Sequence, residues 1–318
     1  MATVPAWLRR ATADAQSLAR KEVEDVALTA GAAIGALDAV VRRQERWAGA
    51  WRQRLALSAA TATAKQAGRV EDEGALRDAV LLARPGDFLS VGPAGLLLLA
   101  WRRLAARSGD ELLTEKNLAA VLEEFGYAPD DEVVSDLAAD LRQLAAGAGM
   151  VATLAGTFMA AERHGFARAV GAWLADALLA QGLGWTHAIP LLGGEAALAV
   201  GTGRPRRPAI VALAAGSETE SDRAKNLIAA QARAALRAID LSAELERRAD
   251  RLLAVAPKLR ARASDFVVER LLSDDAIVAS EKIAGMSDRG LRRLFDRLVE
   301  LGAVRELSGR PTFRIYGL

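Results

Sequence analysis

Apolar residues recur every three or four positions through most of the chain, which is the spacing of one face of an α-helix. Within residues 22–43, for example, Val26, Ile34 and Leu37 fall on one such stripe. The same spacing predicts helices within residues 71–83, 96–106, 114–125, 130–144, 166–183 and 221–253. We therefore expect a mainly α-helical protein.

Glycine and proline residues interrupt this helical pattern and suggest how the chain is divided. The sharpest change is GTGRPRRP at residues 201–208, which is too rich in glycine, proline and arginine for regular structure. We expect a multi-helical body at residues 1–203 and a linker with a connecting helix at residues 204–263. Residues 264–318 follow a different pattern and are expected to form a separate module.

Short helical and β-prone runs alternate in residues 264–318. The elements expected there are a helix at 265–272, a strand at 276–278, a short helix at 280–284, a longer helix after the cap residue Ser287, and a hairpin of 304–307 with 312–316. This order is typical of a winged helix-turn-helix. The predicted fold class is thus mainly α, a multi-helical body followed by a C-terminal winged helix-turn-helix with a small β-hairpin.

Apolar positions indicate how that module would pack. The inward stripe of the helix after Ser287 is expected to contain Leu291, Leu294, Phe295, Leu298 and Leu301. Gly302 is expected to end the helix in a left-handed conformation. A two-stranded hairpin is marginal in water, so Val304, Phe313 and Ile315 should pack on the helices. Phe266 in the first helix of the module should also face inward.

The outward face of the helix after Ser287 carries the candidate chemistry. Arg289 and Arg293 are four residues apart and repel each other in an isolated helix, so a phosphate or a base edge would relieve them. Such a helix would enter the major groove of double-stranded DNA, with the hairpin on the adjacent backbone. The candidate DNA-binding residues are Arg289, Arg292, Arg293, Arg310 and Arg314, supported by Lys282.

The charge of this module leaves a second interpretation open. From residue 287 onward, seven arginines face four acidic residues, an excess of 7 − 4 = 3. Acidic residues such as Asp296 and Glu300 on the outward face are also typical of a solvated helix or of a winged helix that docks a protein. Gly290 has two interpretations as well. It allows DNA or a neighbouring helix to approach closely, or it is a tolerated residue of the first turn.

Composition narrows the classes of function. The 318-residue chain is 52% hydrophobic and 26% charged, as in globular proteins, and its net charge of +2 gives no global argument for nucleic acid. The absence of cysteine excludes disulfides and cysteine nucleophiles and is consistent with the cytoplasm, where we expect the protein. Residues 144–161 carry no charge but consist mostly of Ala, Gly and Thr, which favours one buried helix over a membrane span.

Titratable residues of the body show no catalytic motif, so we expect neither an enzyme nor a cofactor. The densest charged cluster lies at residues 71–78 and should form surface salt bridges or pack between helices. His187 is expected to pack in the core or a turn, and His164 to lie at an exposed helix terminus. With no cysteine and two histidines, the chain offers no conventional zinc site.

Glycine pairs and tryptophans of the body have structural explanations. Gly193-Gly194 and residues 201–203 lack the ending of a phosphate-binding loop and are predicted to be turns. Five tryptophans are expected to anchor an alanine-rich core: Trp47, Trp51, Trp101, Trp173 and Trp185.

Three segments carry a resemblance to a known group of proteins. They are EDEGALRDA at residues 71–79, RRADRLLAVAPKLR at residues 247–260 and FRIYGL at residues 313–318. Together they resemble an uncharacterised domain-of-unknown-function family of rhizobia and related alphaproteobacteria, often encoded on plasmids. The resemblance covers most of the chain and implies no established activity.

A narrower resemblance concerns the predicted hairpin. GAVRELSGR at residues 302–310 is similar to the wing of the accessory winged helix that follows some Fic-type enzymes. The catalytic His-Pro-Phe run of those enzymes is missing, because His164 and His187 are followed by Gly165 and Ala188. The resemblance therefore implies a winged helix without nucleotidyl transfer.

The leading hypothesis is a cytoplasmic, non-enzymatic DNA-binding or regulatory protein whose body senses a signal, dimerises or holds a partner. Two alternatives remain open. The C-terminal module could dock a protein, or the helical body could contain an unrecognised small-molecule site. No membrane partner is expected.

Overall fold

Helices dominate the fold, as the apolar spacing predicts. The computed structural model describes residues 4–83, 88–147, 149–195, 220–259, 263–310 and 312–318. In these ranges the helices are α1 (Ala6–Thr12), α2 (Ala15–Ala19), α3 (Val23–Val41), α4 (Ala48–Gln66), α5 (Glu73–Leu81), α6 (Phe88–Ala106), α7 (Gly109–Leu112), α8 (Glu115–Glu124), α9 (Asp131–Gly147), α10 (Met150–Arg163), α11 (Arg168–Gly182), α12 (Glu220–Val255), α13 (Ser264–Ser273) and α14 (Asp288–Glu300). The strands are β1 (Ile277–Val278), β2 (Arg305–Glu306) and β3 (Ile315–Gly317).

Helix α11 lies at the centre of the body. Twelve of its fifteen residues are buried, and a helix that is apolar on all sides is stable only when other helices surround it. Gly171 brings α10 close, because a Cβ on it would lie 2.9 Å from the Phe158 ring. Among the twelve buried residues the one charged side chain is that of Asp176, which accepts hydrogen bonds from the backbone N–H groups of Leu191 (2.7 Å) and Leu192 (3.0 Å).

Helix α12 covers most of the described part of residues 204–263, for which a linker and a connecting helix were expected. It has 36 residues and packs along α3 and against α1, α2 and α10. Leu227, Leu245 and Leu252 are buried in the same core as the residues of the body. Helix α12 is therefore part of the body's core. The expected boundary at residues 201–208 lies outside the described residues.

Tryptophans anchor the alanine-rich core, as predicted. All five are buried, and four of their indole N–H groups have a hydrogen-bond acceptor. The acceptors are the Ala238 carbonyl for Trp51 (2.9 Å), the Thr63 hydroxyl for Trp101 (3.0 Å), the Ala100 carbonyl for Trp173 (2.9 Å) and the Asp38 carboxylate for Trp185 (2.8 Å). The large rings thus fill the space beside the small alanine side chains, and these four indole N–H groups keep a hydrogen-bond partner in the core.

The uncharged run at residues 144–161 does not form the single buried helix that was predicted. Helix α9 ends at Gly147 and α10 begins at Met150, so the run is divided between two helices. Glycine explains the break, because its backbone loses more entropy in a helix than that of any other residue. Met150 and Met159 are exposed. Among the helices of the described ranges, none combines the length and the apolar character needed to cross a membrane.

Residues 264–318 form a helix, a strand, a helix and two strands in the predicted order. Strand β3 lies between β1 and β2 and pairs antiparallel with both. The Ser287 hydroxyl caps α14 by accepting the Gly290 N–H at 3.2 Å, and Gly302 ends the helix with a φ of +64°. The rings of Phe295 and Tyr316 stack with their centroids 4.3 Å apart. We call residues 264–318 the C-terminal module.

Several details of this module differ from the prediction. Residues 280–284 form no helix, because the backbone makes two separate turns there, with the Glu281 N–H on the Val278 carbonyl and the Met286 N–H on the Ile283 carbonyl. Phe266 is 51% exposed, since the buried stripe of α13 runs from Val267 to Leu272 beside it. Leu301 is partly exposed beyond the last turn of α14.

Phe313 is also exposed, at 63%, although it was expected to pack inward. It precedes β3 and has a φ of +55°, so the alternation of a regular strand does not extend to it. Val304 and Ile315 are buried and hold the hairpin on the module, as predicted.

A close backbone contact between α4 and α13 generates a first prediction. A Cβ on Gly49 would lie 2.6 Å from the carbonyl oxygen and 2.7 Å from the Cα of Ser273. Gly49→Ala should therefore lower the free energy of unfolding by about 1–3 kcal/mol, measured by urea unfolding, because backbone atoms must shift. The control Gly35→Ala, with nothing within 4 Å on α3, should raise it by roughly 0.5–1 kcal/mol. A neutral Gly49→Ala would contradict this packing.

Candidate nucleic-acid interface

Three predicted DNA-binding arginines share the outer face of α14. Arg289, Arg292 and Arg293 are exposed, and their spacing of three and four residues makes them neighbours on the helix surface. Among the described residues, none of the three belongs to an ion pair, whereas the Arg297 guanidinium lies 2.8 Å from the Glu300 carboxylate. The opposite face of α14 is buried. The three guanidinium groups are therefore available to an external acceptor.

Two further residues flank the start of α14. Lys282 is exposed in the turns that precede the helix. Gly290 lies in the first helical turn, where a Cβ would meet only the Ser287 hydroxyl (3.2 Å) and the Met286 side chain (3.5 Å). In the described part of the chain, no other helix approaches Gly290 closely, so close helix packing does not explain this glycine. The approach of DNA and a tolerated residue of the first turn are both consistent with its position.

The hairpin arginines have partners within the chain. Arg310 forms an ion pair with Asp78 on α5, so the tip of the hairpin contacts the body. The Arg314 guanidinium lies 3.8 Å from the Glu306 carboxylate, and a hydrogen bond to Tyr316 is the main cause that raises the pKa of Arg314. The structure therefore separates the predicted residues into an unpaired group on α14 and a paired group on the hairpin.

A groove of about 370 Å³ lies between α14 and the residues that precede β3. Arg292 and Asp296 line it from the helix, and Phe313 and Arg314 from the opposite side. The groove thus combines both signs of charge with one exposed aromatic ring.

A buried carboxylate holds the C-terminal module on the body. Asp275, two residues before β1, is 2% exposed and accepts a hydrogen bond from Arg77 Nε on α5 at 2.6 Å. It also forms an ion pair with Arg54 on α4. Burial alone would raise the pKa of Asp275, but the charges of Arg54 and Arg77 outweigh burial and lower the pKa below its ordinary value.

Two of the five charged residues in the cluster at residues 71–78 are part of this junction. Arg77 binds Asp275, and the adjacent Asp78 binds Arg310, so α5 contacts the module with one charge of each sign. Asp72 has a local role, since its carboxylate caps α5 by accepting the Ala75 N–H at 2.8 Å. Packing between elements, one of the two roles expected for the cluster, thus accounts for Arg77 and Asp78.

The segments that carry the family resemblance meet at the same junction. Residues 71–79 supply Arg77 and Asp78, as described above. From residues 247–260, Arg248 Nη1 donates a hydrogen bond of 3.0 Å to the carbonyl oxygen of Leu318, the last residue of the FRIYGL segment. Leu318 itself is buried. Residues of all three segments therefore lie where the module meets the body.

The histidines have different surroundings. His187 is half-buried and pairs with Ser108 in an isolated antiparallel β-bridge, and burial and the charge of Arg52 lower its pKa. His164 lies at the end of α10, as predicted, but it is not exposed there, because its Nε2 lies 2.9 Å from the Asp140 carboxylate and its side chain is only 15% exposed. The packing of α10 against α9, which carries Asp140, explains this contact.

Of the candidate glycine loops, Gly193-Gly194 lies in a short 3₁₀ helix, and a Cβ on Gly193 would lie 2.5 Å from the Trp101 ring. Residues 201–203 lie outside the described residues. Within the ranges that the structure describes, no three histidine, aspartate or glutamate side chains converge as a metal ion would require.

The partners of Asp275 were not expected from the sequence. Arg77 and Asp275 are 198 residues apart, and no local pattern links them. The one available signal is an acidic residue directly before the apolar run Ala276-Ile277-Val278, which predicts a buried strand. A buried strand next to a carboxylate requires a cation close by.

Comparison with protein families places the whole chain in one group. A family model described as a protein of unknown function, DUF1403, matches residues 1–318. The chain belongs to this family. No curated protein and no solved structure matches the chain. The description of DUF1403 gives no activity.

The junction generates a second prediction. Asp275→Asn should lower the free energy of unfolding at pH 7 by about 3–5 kcal/mol, because it leaves buried arginines without their counter-charge. The folded-state pKa of Asp275 is lowered, so the stability it contributes is complete above the unfolded-state pKa and is lost as the pH falls through the folded-state pKa. The difference between wild type and variant should therefore stay constant from pH 7 to about pH 4 and shrink below it.

Asp274→Asn is the matched control. Asp274 is adjacent, but its carboxylate is partly exposed and lies 2.7 Å from Arg270 Nε. Its replacement should cost less than about 1 kcal/mol. Equal losses for the two variants in denaturant titrations would rule out a special role for Asp275.

Proposed function

We propose that the protein binds double-stranded DNA through α14 and the adjacent hairpin, and that it is a non-enzymatic regulatory protein of the cytoplasm. The supporting observation is the group of three exposed arginines, Arg289, Arg292 and Arg293, which have no ion pair among the described residues. Guanidinium groups match phosphates and the guanine edge in two-point hydrogen bonding. A helix with one buried face and this opposite face is suited to the major groove.

The order of elements supports a winged-helix interpretation of the C-terminal module. Helix, strand, helix and two strands follow one another, and β3 lies between β1 and β2. The module departs from the expected winged helix at residues 280–284, which form turns. In this interpretation α14 reads bases, and Lys282 in those turns contacts the DNA backbone.

The hairpin arginines would join the interface only after exchanging partners. Arg310 is bound to Asp78 of the body, and Arg314 faces Glu306. Both arginines are about half exposed, and ion pairs in such positions are worth only about 0–1 kcal/mol. A DNA phosphate would therefore compete with these carboxylates at little cost.

A second candidate function is docking of a protein, and the exposed Phe313 favours it. This ring is 63% exposed at the edge of the groove beside α14, where Arg292 and Asp296 offer charges of both signs. Salt distinguishes the two functions. DNA affinity falls steeply with salt, whereas an association that depends on an apolar ring survives. The body could sense a ligand or dimerise in either case, and an origin on rhizobial plasmids remains a prediction from the three segments.

The class of partner can be tested by capture. Purified full-length protein is incubated with fragmented genomic DNA at low and high salt, and the bound DNA is sequenced. Enrichment of defined sites at low salt, with loss at high salt, is expected. Absence of DNA enrichment at low salt would exclude the proposal.

A third prediction concerns the arginines of α14. The double variant Arg289→Glu, Arg293→Glu should abolish binding of an enriched fragment, measured by fluorescence anisotropy, because two positive donors to phosphate or base acceptors are replaced by negative charges that repel the DNA. Circular dichroism should be unchanged, since both side chains are exposed. Arg10→Glu is the control, because Arg10 is an exposed arginine of α1 at the other end of the chain. Unaltered binding by the double variant would remove both residues from the interface.

A further inference from the structure

A cleft of about 340 Å³ lies where α4 and α12 meet the first strand of the hairpin. Four arginines from three parts of the fold line it: Arg54 from α4, Arg237 and Arg248 from α12, and Arg305 from β2. The acidic residues of the lining are Glu73 and Glu244, so the positive excess in the cleft is 4 − 2 = 2. Body and C-terminal module thus enclose a positively charged space together.

Acidic groups behind the lining do not cancel this excess. Asp275 contacts Arg54, but Arg77 shares it from outside the cleft. Glu195, which is buried, contacts Arg237 and lies 4.0 Å from Arg233, another arginine outside the cleft. Each of these two carboxylates therefore faces two guanidinium groups, of which only one lines the cleft. Their negative charges are balanced by these arginines and do not remove the positive excess of the cleft.

The cleft arginines are also close enough to repel one another. The pKa of Arg248 is lowered, first by burial and then by the charge of Arg305, with a smaller contribution from Arg54. Glu244 pairs with Arg248 and offsets this in part. Arg305 is exposed and belongs to no ion pair among the described residues. An anion in the cleft would relieve the repulsion.

We propose that this cleft binds a small molecule through a phosphate group carrying two negative charges. Guanidinium groups bind phosphate oxygens in pairs, and several converging arginines are the usual basis of such recognition. The volume of the cleft is at the lower end of the range for ligand sites, which suits a small phosphorylated compound or inorganic phosphate. The site does not depend on DNA binding, because none of its four arginines belongs to the proposed DNA surface.

Binding at this site would join the module to the body. Arg305 belongs to the module, and the other three arginines belong to the body. A ligand that contacts both stabilises the folded chain by an amount that grows with its concentration. The anion therefore adds a contact between β2 and the helices beneath it.

The test measures binding to the full-length protein at constant ionic strength. Inorganic phosphate, ribose 5-phosphate and, as a singly charged comparison, acetate are titrated by calorimetry and by thermal unfolding. We expect saturable binding and a rise in the unfolding temperature for at least one phosphate probe and not for acetate. A stronger response to ribose 5-phosphate would identify an ester as the ligand, and an equal response would identify the phosphate group alone. No saturable response to either phosphate probe would overturn the proposal.

The fourth prediction is that two variants of the cleft change the dissociation constant of the phosphate probe in opposite directions. Arg305→Gln should raise the dissociation constant of the phosphate probe about tenfold or more, which is the usual effect of losing a charge-assisted hydrogen bond. Glu73→Gln should lower it, because an exposed negative charge leaves the cleft. Arg289→Gln, on α14, is the matched control and should leave it unchanged while weakening DNA binding. The same dissociation constant for Arg305→Gln and wild type would also overturn the proposal.

Discussion

The arrangement of the whole molecule depends on one carboxylate buried among arginines. Asp275 is removed from water, so its charge is tolerated only while Arg54 and Arg77 stay in place. Apolar surfaces can slide over one another at modest cost, whereas a buried ion pair permits one geometry. On α5 the adjacent Arg77 and Asp78 bind partners of opposite sign, so a shifted module would bring like charges together. The junction therefore fixes the orientation of α14 relative to the body.

The apolar core also restricts how the C-terminal module lies on the body, in addition to the ion pairs. The buried face of α14 and the buried residues of α3, α11 and α12 form one continuous apolar core. Alanine and glycine make up much of that core, and their small size allows backbones to approach closely, as at Gly49 and Ser273. The outer face of α14 thus lies opposite a face that is buried in this shared core.

Local features of the sequence predicted local structure well. The Ser287 cap, the left-handed Gly302 and the stripe containing Leu294 and Phe295 follow from spacing and capping within about four residues, and each is present. The predictions that were wrong concerned residues whose burial depends on contacts between distant parts of the chain or on an unusual backbone conformation. His164 meets Asp140 from another helix, and the positive φ of Phe313 ends the alternation that predicted its burial.

The arginine cleft could not be predicted from the sequence either, because it also depends on contacts between distant residues. Its lining comes from residues as far apart as Arg54 and Arg305, and no pattern within either segment indicates the other. The predicted DNA surface could be proposed because its three main arginines lie on one helix. The pairing of the hairpin arginines could not be predicted, because Arg310 contacts Asp78, which lies 232 positions away in the sequence.

The length of α12 has a structural consequence. Its 36 residues form a rod of about 54 Å. Near one end Arg223 lies 3.1 Å from Glu162 of α10, and towards the other Arg248 holds the carbonyl of Leu318. One continuous helix thus connects the surface of α10 with the residue that follows the central strand of the sheet beside α14.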